Sequence, residues 1–172
     1  MAGMPHHKSM VSPGFAIPDR VSTERFLVRP LLFTDAALDY GAWSTSIEHL
    51  QSIFGPHSSW PNKEMTLEEN GIDLAWHQRE HEWASSFAYT VSNLDETVCL
   101  GCIYLSPARK VGYDAEVFYW VRASEATNGF DASLGRFVHT WLSTAWPFSS
   151  VVYPGRDLEW EEYLSMDDRP HW

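Results

Sequence analysis

The run AEVFYWV, Ala115–Val121, constrains this chain more than any other segment. Aromatic and β-branched side chains in short succession read as a strand. A short loop follows, and then Leu134, Phe137, Val138, Trp141 and Leu142 recur at the spacing of one helical face. Residues 112–135 therefore read as strand, loop and the start of a helix, with that helix expected over 131–144.

Elements on either side extend the pattern. Residues 25–32 read as a first strand. Thr34 and Asp35 offer a cap for a helix over 35–54, which Gly55-Pro56 stops. Thr66-Leu-Glu-Glu69 is a capping box, so a second helix is expected over 67–84, with Ile72, Ala75, Trp76 and Trp83 on its buried stripe. Strands near 87–92 and 98–105 form a hairpin across Asn93-Leu-Asp-Glu96. Residues 150–153 read as a last strand, and 158–166 as one or two helical turns in an acidic tail.

At 172 residues the chain suits one domain, and about 70% of its unfolded surface can be buried at this size. Residues 1–22 carry Pro, Gly, Ser and a His6-His7 pair without a signal peptide's apolar stretch, so they read as a flexible arm before a domain over 23–172. A net charge of −11 argues against nucleic acid and against an anionic membrane surface. No run of about 20 apolar residues is present, so no membrane partner is expected. Cys99 and Cys102 have redox spacing, but residues three apart on a strand point to opposite faces. They are expected as ordinary buried thiols of a reducing cytoplasm, sharing neither disulfide nor metal. His77 and His81 share a helical face, yet the segment HQREH supplies no third ligand, so no metal is expected there either.

The order strand, two helices, three strands, helix, strand over residues 24–153 resembles that of the GCN5-related N-acetyltransferases (GNAT). TERFLVRPL at 23–31 is similar to the first strand of the branch that acetylates ribosomal proteins, and AEVFYWV to that branch's fourth strand. The resemblance implies an α/β (α+β) fold with a mixed, mostly antiparallel central sheet and helices on both faces. It implies a cytoplasmic enzyme that passes acetyl from acetyl-CoA to a primary amine of a small molecule or protein.

In such a fold the loop after the fourth strand holds the cofactor's pyrophosphate. Glycines let the backbone approach, and amides at the helix start bind the anion. The family's basic and two small loop positions fall on Ala126, Gly129 and Asp131. An Asp there caps a helix well but puts negative charge where phosphate would sit. Two readings follow: an altered loop that still binds CoA, or a non-catalytic protein of the same fold that binds a ligand or partner. A homodimer whose partner supplies missing strands is a third.

On the first reading, backbone of Phe118, Tyr119, Trp120 and Val121 holds the pantetheine arm, and Arg122, Ser124, Thr127, Asn128 and Gly129 form the cofactor loop. Glu116 is the general base, and Tyr163 the acid that protonates the leaving thiolate. His77, His81, Trp83 and Tyr89 border the acceptor. Pro154-Gly155 stands where the family has Asn, and the closing pair of long strands has no counterpart after Tyr153.

Overall fold

The computed structural model describes residues 8–170. Six strands lie side by side in chain order. They are β1 (Val21–Ser22), β2 (Leu27–Pro30), β3 (Phe87–Ser92), β4 (Cys99–Pro107), β5 (Ala115–Val121) and β6 (Val151–Val152). Pairing is antiparallel from β1 to β5 and parallel between β5 and β6. This is the mixed, mostly antiparallel sheet expected.

Every residue of β3 and β5 is buried, because helices cover both faces of the sheet. On one face α4 (Phe130–Ala145) sets Leu134, Val138, Trp141 and Leu142 against Val28, Tyr89, Ile103, Val117 and Tyr119. On the other, α1 (Ala36–Ser44) and α3 (Leu67–Glu82) bring Ala42, Trp43 and Leu74 onto Ala88, Cys102 and Trp120. Short helices α2 (Ile47–Leu50) and α5 (Trp160–Ser165) complete the order. No helix among the described residues is long and apolar enough to cross a membrane.

Four local expectations are corrected. The helix expected over 35–54 breaks after Ser44. The hydroxyls of Thr45 and Ser46 donate back to Gly41 O and Ala42 O at 2.7 Å, competing with the backbone ladder that would continue the helix. The supposed arm is packed in its described part, residues 8–22. Met10 N–H donates to Ala84 O, Val11 is buried, and Val21–Ser22 adds the edge strand β1; residues 1–7 lie outside the description.

On α3 the expected stripe faces the wrong way. Trp76 is 61% and Ile72 54% exposed, whereas Asn70 and Leu74 are buried. The inward line continues through the half-buried His77 and His81, so the face packed on the sheet is partly polar. Trp43 Nε1 donating to Asn70 Oδ1 at 3.1 Å makes that polar face tolerable in the core.

The two cysteines share one face. Val91 pairs with Gly101 and Ser92 with Cys99, so Leu100 is an extra residue in β4. This bulge sends Leu100 to the α4 side and turns both Cys99 and Cys102 toward α1. Gly101 is required at the bulge, since a Cβ there would lie 2.0 Å from Trp120 O.

Candidate active site

The parallel pairing of β5 with β6 lasts two residues, Ala115 with Val151 and Glu116 with Val152. Beyond it the strands part. Ala115 N–H donates to Ser150 O on the β6 side, and Arg122 N–H to Leu100 O on the β4 side. By strand alternation, the backbone groups of Val117, Tyr119 and Val121 thus face the opening, and those of Phe118 and Trp120 face β4. Of the four residues expected to hold a pantetheine arm, Tyr119 and Val121 present that edge. Phe118 and Trp120 instead send their side chains toward Phe54 and Trp60.

At the foot of the opening sits Glu116, 4% exposed. Arg109 Nε donates to its Oε1 at 2.8 Å, and the Tyr163 hydroxyl to its Oε2 at 2.5 Å. The two expected catalytic residues therefore meet, although 47 positions separate them. Burial, and then the adjacent Glu116 carboxylate, push the Tyr163 phenol well above its ordinary value. It stays protonated at neutral pH and donates to Glu116. Lys110 clamps α5 from below: its Nζ lies 5.5 Å from the Tyr163 ring centroid and donates to Met166 O at 2.9 Å and Asp168 Oδ1 at 2.7 Å.

The upper part of the opening is occupied by the segment between β6 and α5. Arg156 Nη2 donates to Tyr119 O at 2.9 Å, and the guanidinium lies 4.0 Å from the Tyr119 ring centroid. Both its terminal nitrogens grip Asp131, at 2.6 and 3.0 Å. Asp131 is therefore not the cap of α4. Gly129 holds that position at a φ of 79°, and Asn128 Oδ1 accepts from Phe130 N–H at 3.1 Å. Trp160 stacks on Phe118 at 6.1 Å and fits there because position 155 is glycine; a Cβ at Gly155 would lie 2.3 Å from Trp160 Nε1.

The remaining loop candidates are scattered. Arg122 folds back to donate to Cys99 O at 3.2 Å, away from the helix start. Ser124 lies in a turn of 3-10 helix, Thr127 in the turn after it, and Asn128 Nδ2 donates to Glu125 at 2.7 Å.

Of the four acceptor candidates, His77 lines a cavity. His77, with Glu80, Tyr104 and Ser106, walls a space of about 740 Å³ at the end of the sheet where β4 finishes. Ser106 is the register partner of Glu116, so the cavity adjoins the foot of the opening. Burial keeps both histidines below their ordinary value, hence neutral near pH 7. His81 packs edge-on against Phe87 and Tyr89. Tyr89 is a core residue, 1% exposed, whose hydroxyl donates to Pro18 O at 2.6 Å. Trp83 lies on the surface under Arg79.

Sequence reasoning missed Arg109 and Arg156. A signal for Arg156 existed, as it is the single basic residue between Pro154 and Asp168.

No protein-family model and no curated protein matches the chain. Solved structures do. Ribosomal-protein-S5-alanine acetyltransferase from Vibrio fischeri aligns with a TM-score of 0.62 at 16% identity, over 86% of this chain and 81% of that one. RimL, a ribosomal alpha-N-protein acetyltransferase solved with coenzyme A, aligns at 0.57 and 12% identity, over 74% and 71%. The fold is that of the GNAT acetyltransferases. The self-immunity acetyltransferase MccE, solved with acetyl-CoA and AMP, aligns at 0.50 and 12% identity, over 72% and 67%.

Proposed function

We propose that this GNAT-fold protein is an acyl-CoA-dependent N-acyltransferase acting on a primary amine of a small molecule or protein. The observation that carries the reading is the contact of Tyr163 with Glu116 at the point where β5 and β6 part. In this reading the acyl-CoA thioester lies along the free edge of β5, and an amine reaches it from the cavity walled by His77, Tyr104 and Ser106. The amine nitrogen attacks the thioester carbonyl and the C–S bond breaks. Glu116 takes the proton released by the amine, and the Tyr163 phenol protonates the departing thiolate. The residues beside the cofactor are Tyr119, Val121, Asn128 and Gly129; Arg156 has to release Tyr119 O before pantetheine can bond there. The cytoplasm is the proposed setting, since it supplies acyl-CoA and keeps Cys99 and Cys102 reduced.

One observation favours a second reading. Arg156 already satisfies Tyr119 O and Asp131, as a non-catalytic descendant of the fold would have it. Calorimetric titration with acetyl-CoA and with CoA separates the two, followed by thiol-release assays on a panel of amines. Micromolar binding and turnover that falls in Glu116→Gln support the enzyme. No heat and no thermal shift at millimolar cofactor support the binding protein.

A further inference from the structure

The bulge in β4 gathers three metal-binding side chains at one buried point. Cys99 Sγ, Cys102 Sγ and a carboxylate oxygen of Asp39 all lie within 4.8 Å of one another. We propose that they form a site for one zinc-class, thiophilic divalent cation, independent of any acyl transfer.

The spacing fits. Zinc binds sulfur at about 2.3 Å and carboxylate oxygen at about 2.0 Å in a tetrahedron, which sets sulfur and oxygen about 3.5 Å apart and two sulfurs about 3.8 Å apart. Cys102 Sγ lies 3.3 Å from Asp39 Oδ1, close to a coordination edge. Thr90 Oγ1 lies 3.8 Å from Cys99 Sγ on the same buried side.

The surroundings fit as well. Asn70 Nδ2 donates to Asp39 Oδ2 at 3.0 Å and leaves Oδ1 for the ligand position. Trp43 fixes Asn70 in turn, which is the outer-shell support that orients a ligating carboxylate. The Asp39 carboxylate is 4% exposed, and its hydrogen-bond partners Asn70 and Cys102 are both neutral. A buried anion among neutral partners is costly, and a divalent cation offsets that cost.

Binding replaces two thiol protons, released to solvent, with two metal–sulfur bonds. The complex then carries one net negative charge, as the cluster with ionised Asp39 does without metal. By joining α1 to β4, the ion would stiffen the layer over β5 without entering the candidate active site.

The test uses full-length protein, reduced, unfolded and refolded with excess Zn2+ or Cd2+, then freed of loose metal. Refolding removes burial as an obstacle to loading. The proposal expects one metal per chain by elemental analysis, a cadmium–thiolate absorption band and a raised melting temperature. The Cys99→Ser/Cys102→Ser variant should lose the metal and the band. Asn70→Ala, which leaves all three donors in place, should weaken affinity about 10- to 100-fold. Circular dichroism confirms that each variant is folded. Substoichiometric metal and no band in the refolded protein overturn the proposal, as does equal retention by the double-serine variant. If that variant does not fold, unchanged affinity in folded Asn70→Ala overturns it.

Discussion

Replacing Asp39 by Asn should abolish the pH dependence of one part of this protein's stability. Burial raises the Asp39 carboxyl from 3.8 to about 6 in the metal-free chain. Below pH 3.8 it is protonated in both folded and unfolded states, and its pKa shift contributes nothing. Between 3.8 and about 6 the folded state holds a proton that the unfolded state has lost, so stability falls as pH rises. Above that window the full cost applies. It amounts to about 3 kcal/mol, at about 1.36 kcal/mol per pKa unit. Asn cannot ionise, and so escapes this cost while introducing an amide group worth about 1–3 kcal/mol if unpaired. The variant should be the less stable protein near pH 4 and the more stable near pH 7. The difference between the two stabilities should change by about 2.4 kcal/mol across that range, because at pH 4 the unfolded carboxyl is already more than half ionised. Urea unfolding at several pH values, with chelator and reductant, measures this directly. A difference that stays constant with pH refutes the buried, ionising Asp39 on which the argument rests.

The other expectations are independent of it. Tyr163→Phe removes the hydroxyl bound to the buried Glu116 carboxylate, so it should cost about 2 kcal/mol and lower the melting temperature by about 4–8 °C; if acyl transfer occurs, kcat should fall more than KM changes. Asp131→Asn removes a negative charge from the helix start and loosens Arg156, and calorimetry should show CoA binding about tenfold tighter, a gain of about 1.4 kcal/mol. Gly101→Ala sets a methyl 2.0 Å from Trp120 O, and should either abolish soluble expression or cost more than about 3 kcal/mol by urea unfolding. Trp76→Ser, on a side chain 61% exposed, should change stability by no more than about 0.5 kcal/mol, contrary to what a buried stripe would give.

Much of the fold is legible because its determinants are local. The strands at Phe87–Ser92, Cys99–Pro107 and Ala115–Val121 announce themselves by β-branched and aromatic content, and α4 by its apolar spacing. The capping box at Thr66 and Glu69 marks the start of α3, and both of its hydrogen bonds form. Glu116 is conspicuous as the one charged residue in β5. The direction in which α3 turns is less legible, because Trp76 and Ile72 are more apolar than the Asn70, Leu74, His77 and His81 line that packs inward. Hydrophobicity sets a helix's face only when no satisfied polar contact competes, and here Asn70 bonds Trp43 and Asp39.

By itself, then, the sequence determined the kinds and order of the main strands and helices. Only the tertiary structure decided what meets. Arg156 closes on Asp131 across 25 positions, Tyr163 on Glu116 across 47, and Cys102 on Asp39 across 63. The bulge at Gly101 turns two cysteines to one side, against the two-residue alternation that a regular strand obeys. Propensity and periodicity act over a few residues. Which charges pair, and which thiols share a face, depends on register and packing between segments that the chain brings together only on folding.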